Sequence, residues 1–239
     1  MHSQFSPRRV ARTIGALFLL IILGGVFAQG FVSERLIVFS DAAATANNIL
    51  AHQGLFQLGF TVYLIEMVCQ VATVALWYVL LRPVSKPIAL VAAFIELGGA
   101  VIKTFARVFF IAPLWILLRT AGGASAALTG FTPEQVHSIA LVLLKVNDYG
   151  AATALAFFGF STVLNGYLIF RSAFLPRWLG VLGMISGLGW LTFLYPPLGY
   201  SSFMFLAPIG LLSSAAMIFW LLVFGVNEEK WEQQASSHA

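Results

Sequence analysis

The chemistry in this chain begins with Glu96, Lys103 and Arg107, three ionisable residues inside the apolar stretch 88–118. Their spacing is i, i+7 and i+11. At about 100° per residue, Lys103 and Arg107 fall about 20° to either side of Glu96 on one helix face. A charge at mid-membrane costs about 2.5–3.5 kcal/mol on insertion scales, so a lipid-facing set of three is expensive. The stripe is therefore expected to face protein or water, with partners supplied by other helices. The preceding helix offers Gly59, Tyr63, Glu66, Gln70, Thr73 and Trp77 on one face, and a later one offers Asp148. Acids, bases and an amide gathered in this way suit a hydrated ligand or ion pocket, or an ion-pair network that fixes helix register. The candidate ligand-binding residues are Glu66, Gln70, Glu96, Lys103, Arg107 and Asp148.

Other chemistries find less support. The single cysteine, Cys69, excludes an intrachain disulfide and argues against a cysteine-based metal site. His52 and His137 are expected on the same side of the membrane, but no third ligand accompanies them, and His2 and His238 lie near the chain ends. No metal and no cofactor is expected. The sequence has no Gly-rich phosphate loop, no Gly-x-Ser-x-Gly and no His-Glu-x-x-His. Acidic residues total nine, three of them glutamates near the C-terminus. No catalytic residue is nominated, and the balance leans away from an enzyme.

The elements that must position these residues are membrane spans. Hydrophobic residues make up 60% of the 239 and charged residues 9%, with a mean hydropathy of +0.92. A soluble domain is nearer 45–50% apolar and about 25% charged. The excess falls in blocks of 17 or more residues, which predicts an all-α, polytopic transmembrane bundle of about six spans, one domain over 1–239. The first span is expected over 14–31, after a short N-terminal segment, 1–12. Val26-Phe27-Ala28 resembles a signal-peptide cleavage site, but the apolar run is long for a signal and a first membrane helix is the expectation.

A short outer-face helix is expected over 42–53, capped by Ser40 or Asp41. The second span is expected over 57–81. Arg82-Pro83-Val84-Ser85-Lys86-Pro87 forms a stiff turn into the third. Gly122-Gly123 opens a loop that runs to Phe131. Thr132-Pro133-Glu134-Gln135 reads as a capping box with proline at the first helical position. The helical pattern from there to Arg171 is expected to divide near Asn147, with the fourth span over 149–170. The fifth is expected over 178–195, ended by Pro196-Pro197-Leu198-Gly199, and the sixth over 203–224. A polar tail, 227–239, closes the chain. The small residues Gly180, Gly183 and Gly187 read as a close-packing face of the fifth span. Gly24, Gly25 and Gln29 read the same way on the first, with Gln29 as an interhelical hydrogen bonder.

Orientation follows from Lys and Arg placement. Arg8, Arg9, Arg12, Arg82, Lys86, Arg171, Arg177 and Lys230 fall on one side, against Arg35 and Arg119 on the other. Both termini are thereby expected in the cytoplasm, and the pI near 9.5 reflects topology rather than nucleic-acid binding. At about 1.5 Å per residue from the inner ends, Glu66 and Lys103 both stand about 22 Å up, Arg107 about 28 Å and Asp148 about 34 Å. Asn165, Glu96 and Gln70 stand lower, at about 9, 12 and 16 Å. This arithmetic predicts a Glu66–Lys103 pair, Arg107 near Asp148, and a separate lower group.

The arginine-bearing start of the first span, SDAAATANNILA at 40–51, LFQLGF at 55–60, YVLLRPVSK at 78–86 and GYLIFRSAFLPRWLGVLG at 166–183 together resemble a bacterial membrane-protein family, domain of unknown function 4386. The resemblance runs from the first span to at least the fifth. It implies a polytopic bundle in the bacterial inner membrane and no assigned activity. The family pattern implies an acid after the cysteine and a basic residue in the next helix, whereas Gln70 and Glu96 stand here, so no charge pair is expected between those positions. The expected function is a non-catalytic bundle with an outward-facing polar pocket for a lipid headgroup or small solute. A small secondary transporter, an intramembrane enzyme and a structural partner of another membrane protein are the alternatives. The expected partners are the bilayer and such a ligand.

Overall fold

The computed structural model describes residues 6–121 and 130–237, and within them every regular element is helical. The expected loop residues 122–129, with Gly122-Gly123, lie outside these, as do His2 and His238. Helix α1 (Pro7–Gly25) begins seven residues before the expected span and carries Arg8, Arg9 and Arg12 within it. Pro7 takes a first-turn position, where its missing N–H is no loss. The chain continues without a turn through a π-helical stretch, Val26–Ser33, and a last turn, Glu34–Leu36. Helix α2 (Ala42–Ala51) is the expected short helix, and Asp41 caps it: its Oδ1 accepts from the Ala44 N–H at 2.9 Å.

Helix α3 (Gln53–Leu81) and helix α4 (Lys86–Ala121) are joined by the proline-containing turn. Helix α5 (Pro133–Arg171) is one unbroken rod of 39 residues, so the division expected near Asn147 is absent. Its capping box forms: the Thr132 N–H donates to Gln135 Oε1 at 2.9 Å, and the Gln135 N–H to Thr132 Oγ1 at 3.4 Å. Helix α6 (Arg177–Trp190) runs into a 3-10 turn, Leu191–Leu194. The Pro196-Pro197 pair ends the fifth span, as expected, and also opens helix α7 (Pro196–Val223), seven residues before the expected start at 203. Prolines at the first helical positions lack only N–H groups that have no intrahelical partner there, so the pair initiates the helix.

The tail is the other departure. Gly225, at φ +67°, ends α7 in the left-handed conformation, and its N–H donates to the Trp220 carbonyl at 3.0 Å. Asn227 then caps a further helix, α8 (Glu228–Ser236), by accepting from the Lys230 N–H at 3.0 Å. Among the described residues, six helices are long and apolar enough to cross a membrane: Pro7–Leu36, Gln53–Leu81, Lys86–Thr120, Pro133–Arg171, Arg177–Leu194 and Pro196–Val223. This is a polytopic transmembrane architecture.

The chain divides into two compact units. Unit one comprises residues 1–20, 69–101 and 152–239. Its core joins Val10, Ala11 and Ile14 of α1, Trp77, Leu80 and Leu81 of α3, Leu168 and Ile169 of α5, Leu179 of α6, Leu221 of α7 and Trp231 of α8. Helices α5 and α6 meet backbone to backbone along glycines. A Cβ on Gly180 would lie 2.5 Å from the Gly166 carbonyl oxygen and 2.6 Å from the Phe170 nitrogen, and one on Gly187 would lie 2.8 Å from the Gly159 carbonyl oxygen. The small-residue face of α6 is therefore a packing seam. Gly180→Ala is expected to destabilise the fold by about 1–3 kcal/mol, because the atoms it meets are main chain and cannot rotate away. An unfolding titration in detergent measures this, with Gly30→Ala, which meets nothing within 4 Å, as the control.

Unit two comprises residues 21–68 and 102–151. Its core gathers Ala28, Val32 and Leu36, Ala46 and Ile49 of α2, Phe56 and Tyr63 of α3, Phe110, Ile111, Leu114 and Leu117 of α4, and Val136, Ala140 and Leu144 of α5. The Phe56 and Phe110 rings stack with centroids 4.4 Å apart, and Tyr63 meets Phe110 edge-on at 5.3 Å.

Candidate functional site

The ionisable stripe of α4 is turned inward. Glu96 is 9% exposed and Arg107 3%, and the Lys103 side chain is largely covered. Phe94, Val101, Phe105 and Val108, on the opposite face of the same helix, are 50–65% exposed. The helix thus offers its apolar side outward and its charges to the protein, as the insertion cost demands.

In unit two, Lys103 forms a salt bridge with Glu66 Oε1, the expected pair. One turn along α4, the Arg107 guanidinium lies over the Tyr63 ring, 3.6 Å from its centroid, and its Nη1 donates to Asn147 Oδ1 at 2.9 Å. Asp148, the expected neighbour, is within electrostatic reach of Arg107, but this hydrogen bond goes to the preceding residue. Helix phase explains the difference. Val136, Ala140, Leu144 and Asn147 follow one another at i+4, i+4 and i+3 and share the buried face of α5, and Asp148 is rotated by about 100° from Asn147.

The Tyr63 hydroxyl donates to Gln29 Oε1 at 2.8 Å and lies 3.2 Å from Ser33 Oγ. Gln29 and Ser33 both belong to the π-helical stretch, and Ser33 Oγ donates to the Ala28 carbonyl at 3.0 Å. A π stretch widens the helix and is frequent at functional sites. Here it presents two polar side chains to the tyrosine beneath Arg107. Gln29 therefore bonds between helices, as its sequence position suggested. Two buried polar atoms of this set have no hydrogen-bond partner: Glu66 Oε2 and Arg107 Nε. One accepts and the other donates.

In unit one, Glu96 is held by neutral side chains. Gln70 Nε2 donates to its Oε1 at 2.6 Å, and Ser161 Oγ donates to its Oε2 at 2.6 Å. Asn165 Nδ2 donates to Oε2 at 3.3 Å and to Ser161 Oγ at 3.4 Å. Positions 70 and 96, where the family pattern implied a charge pair, do touch, through a hydrogen bond instead. Close packing of α4 on α5 accompanies this: a Cβ on Gly99 would lie 2.9 Å from the Phe157 Cβ.

Of the six residues selected from sequence, Glu66 and Lys103 pair in unit two, with Arg107 and Asp148 in the same unit and within electrostatic reach; Gln70 and Glu96 form a second set in the other unit. Sequence reasoning missed Asn147, Ser161 and Ser33, and left Tyr63, Gln29 and Asn165 outside the site. The signal was available on α5, where the face through Leu144 and Asn147 continues by steps of seven to Ala154 and Ser161, then of four and three to Asn165 and Leu168. His52 is exposed and lies 3.1 Å from its own helix's Asn48 carbonyl oxygen, and among the described residues no group of three or more His, Cys, Asp or Glu is placed to hold a metal.

Comparison with curated proteins and with solved structures finds no match. The sequence model of one family, the domain of unknown function DUF4386, matches residues 13–225, most of the chain, covering five of the six apolar spans in full and the first from residue 13. The protein is a polytopic membrane protein belonging to the DUF4386 family.

Proposed function

We propose that the protein is a non-catalytic binding protein of the bacterial cytoplasmic membrane, with both termini inside, whose unit-two polar set receives a lipid headgroup or a small solute from the outer face. The observation that carries this reading is the pair of buried, unpartnered atoms, Glu66 Oε2 and Arg107 Nε. Leaving a buried polar group unsatisfied costs about 1–3 kcal/mol, more for a charged one. A ligand that brings a donor to Glu66 and an acceptor to Arg107 removes that penalty. An ammonium joined to a phosphate or carboxylate has both, whether it is an aminophospholipid headgroup or an amino-acid-like solute. The Lys and Arg asymmetry supports the orientation.

A transporter reading has one observation in its favour, the π-helical stretch beside this set, since such irregular stretches are frequent at functional sites. Against it, α4 passes Gly98-Gly99 as unbroken helix, where a discontinuous span would be wanted.

Native mass spectrometry of protein purified in mild detergent tests the proposal. The wild type is expected to retain a bound species, and Arg107→Gln to lose most of it. Organic extraction followed by lipid analysis distinguishes a headgroup from a water-soluble zwitterion. A wild type with no adduct, or an adduct of equal occupancy in Arg107→Gln, counts against the reading.

A further inference from the structure

The Glu96 cluster has no role in that proposal, and its chemistry is different. Every partner of the Glu96 carboxylate among the described residues is an uncharged side chain. Glu96 is 9% exposed and Ser161 1%, inside helices that read as membrane spans. A buried carboxylate without a counter-charge is expensive, and neutral donors offset only part of the penalty. Around it stand further oxygen atoms: Gln70 Oε1 from α3, and Ser161 Oγ and Asn165 Oδ1 from α5. The two amides now turn their nitrogens to the carboxylate. A half-turn of each amide exchanges nitrogen for oxygen in the same place, with no backbone movement.

We propose that Glu96, Gln70, Ser161 and Asn165 form a binding site for one monovalent alkali cation, held between α3, α4 and α5. The set is all hard oxygen, with no thiolate or imidazole, which selects alkali and alkaline-earth ions over transition metals. It has a single formal negative charge, which one monovalent ion neutralises and a divalent ion leaves with an excess charge buried. The cation replaces the counter-charge that protein side chains do not supply here, and it ties three helices together.

The test uses the purified full-length protein in detergent, with sodium as the probe and choline, too large for the cluster, replacing it at constant ionic strength. Sodium is expected to raise the unfolding temperature saturably, and radiolabelled sodium to bind at one site per chain. Glu96→Gln, which keeps the shape and removes the charge, abolishes both effects. Ser161→Ala, which removes one ligand oxygen and is small enough to fold should the first variant fail, raises the half-saturating concentration by about tenfold. Equal stabilisation by sodium and choline overturns the proposal. So does an infrared carboxylic-acid C=O band that is present in wild type at saturating sodium and missing from Glu96→Gln, since Glu96 then holds a proton instead.

Discussion

Lys103→Met is expected to destabilise the protein by about 3–5 kcal/mol and to lower its folded yield, because it leaves the Glu66 carboxylate buried without its cation. Glu66 is 4% exposed, so water cannot take over from the lysine. Adding Glu66→Met to the same chain is expected to restore most of the loss, since two apolar side chains of similar size replace a desolvated pair. The double-mutant cycle, measured by unfolding in a detergent titration, should show a coupling larger than the loss that Glu66→Met restores, because Glu66→Met alone also costs stability. Additive effects would mean that the two residues do not depend on each other.

Trp231→Ala is expected to cost about 3–5 kcal/mol, although 231 lies in a stretch whose composition reads as a loose tail. The indole is buried in the unit-one core, and its Nε1–H donates to the Leu80 carbonyl at 2.8 Å. Two further bonds hold α8 to the loop after α5: the Asn227 N–H donates to the Phe174 carbonyl at 3.2 Å, and the Ala173 N–H to Gln234 Oε1 at 3.1 Å. Limited proteolysis should release α8 readily from the variant and slowly from wild type. Docking of α8 also depends on pH. The Glu228 carboxylate accepts from the Ser6 hydroxyl and the Arg8 N–H, and the Ser6 bond first of all holds its pKa below the usual carboxylate value. A depressed folded pKa gives stability that is fully present above the unfolded value and is lost as pH falls through the folded one. Glu228 is only partly buried and stays open to solvent, so the effect is small. Cleavage near α8 should rise below about pH 4 in wild type, and the rise attributable to this contact should vanish in Glu228→Gln.

Much of the architecture was legible because the membrane imposes it. Block length gave six spans, and the cost of buried charge gave the inward face of α4. Equal heights along adjoining helices gave the Glu66–Lys103 pair and grouped Gln70 and Glu96 with Asn165. Cap chemistry located α2 and the start of α5, because Asp41 and the Thr132–Gln135 pair act within a few residues of themselves. The misses share a different cause. Pro196-Pro197 ends one helix and also forms the first turn of the next, and Pro7 likewise starts α1 ahead of the apolar run. The tail was judged by polarity, although Asn227 followed by Glu228 and Glu229 is a helix start and Trp231 an anchor. Asn147 lost to Asp148 because charge was weighed above helix phase. The π stretch at Val26–Ser33 has no local signature: it places one more residue in the turn that brings Gln29 and Ser33 to Tyr63, and that demand comes from tertiary contacts.

The inward stripe of α4 is tested most directly by site-directed spin labelling along that helix, in a Cys69→Ser background and in lipid bilayers. Labels replacing Phe94, Val101, Phe105 and Val108 should collide freely with dissolved oxygen, as lipid-exposed sites do. Labels replacing Ala92, Ala100, Ala106 and Phe110 should be immobilised and shielded, with accessibility alternating at the helical period of about 3.6 residues. Uniform oxygen access along α4, or a maximum on the side of Glu96, Lys103 and Arg107, would contradict the inward placement of the charges.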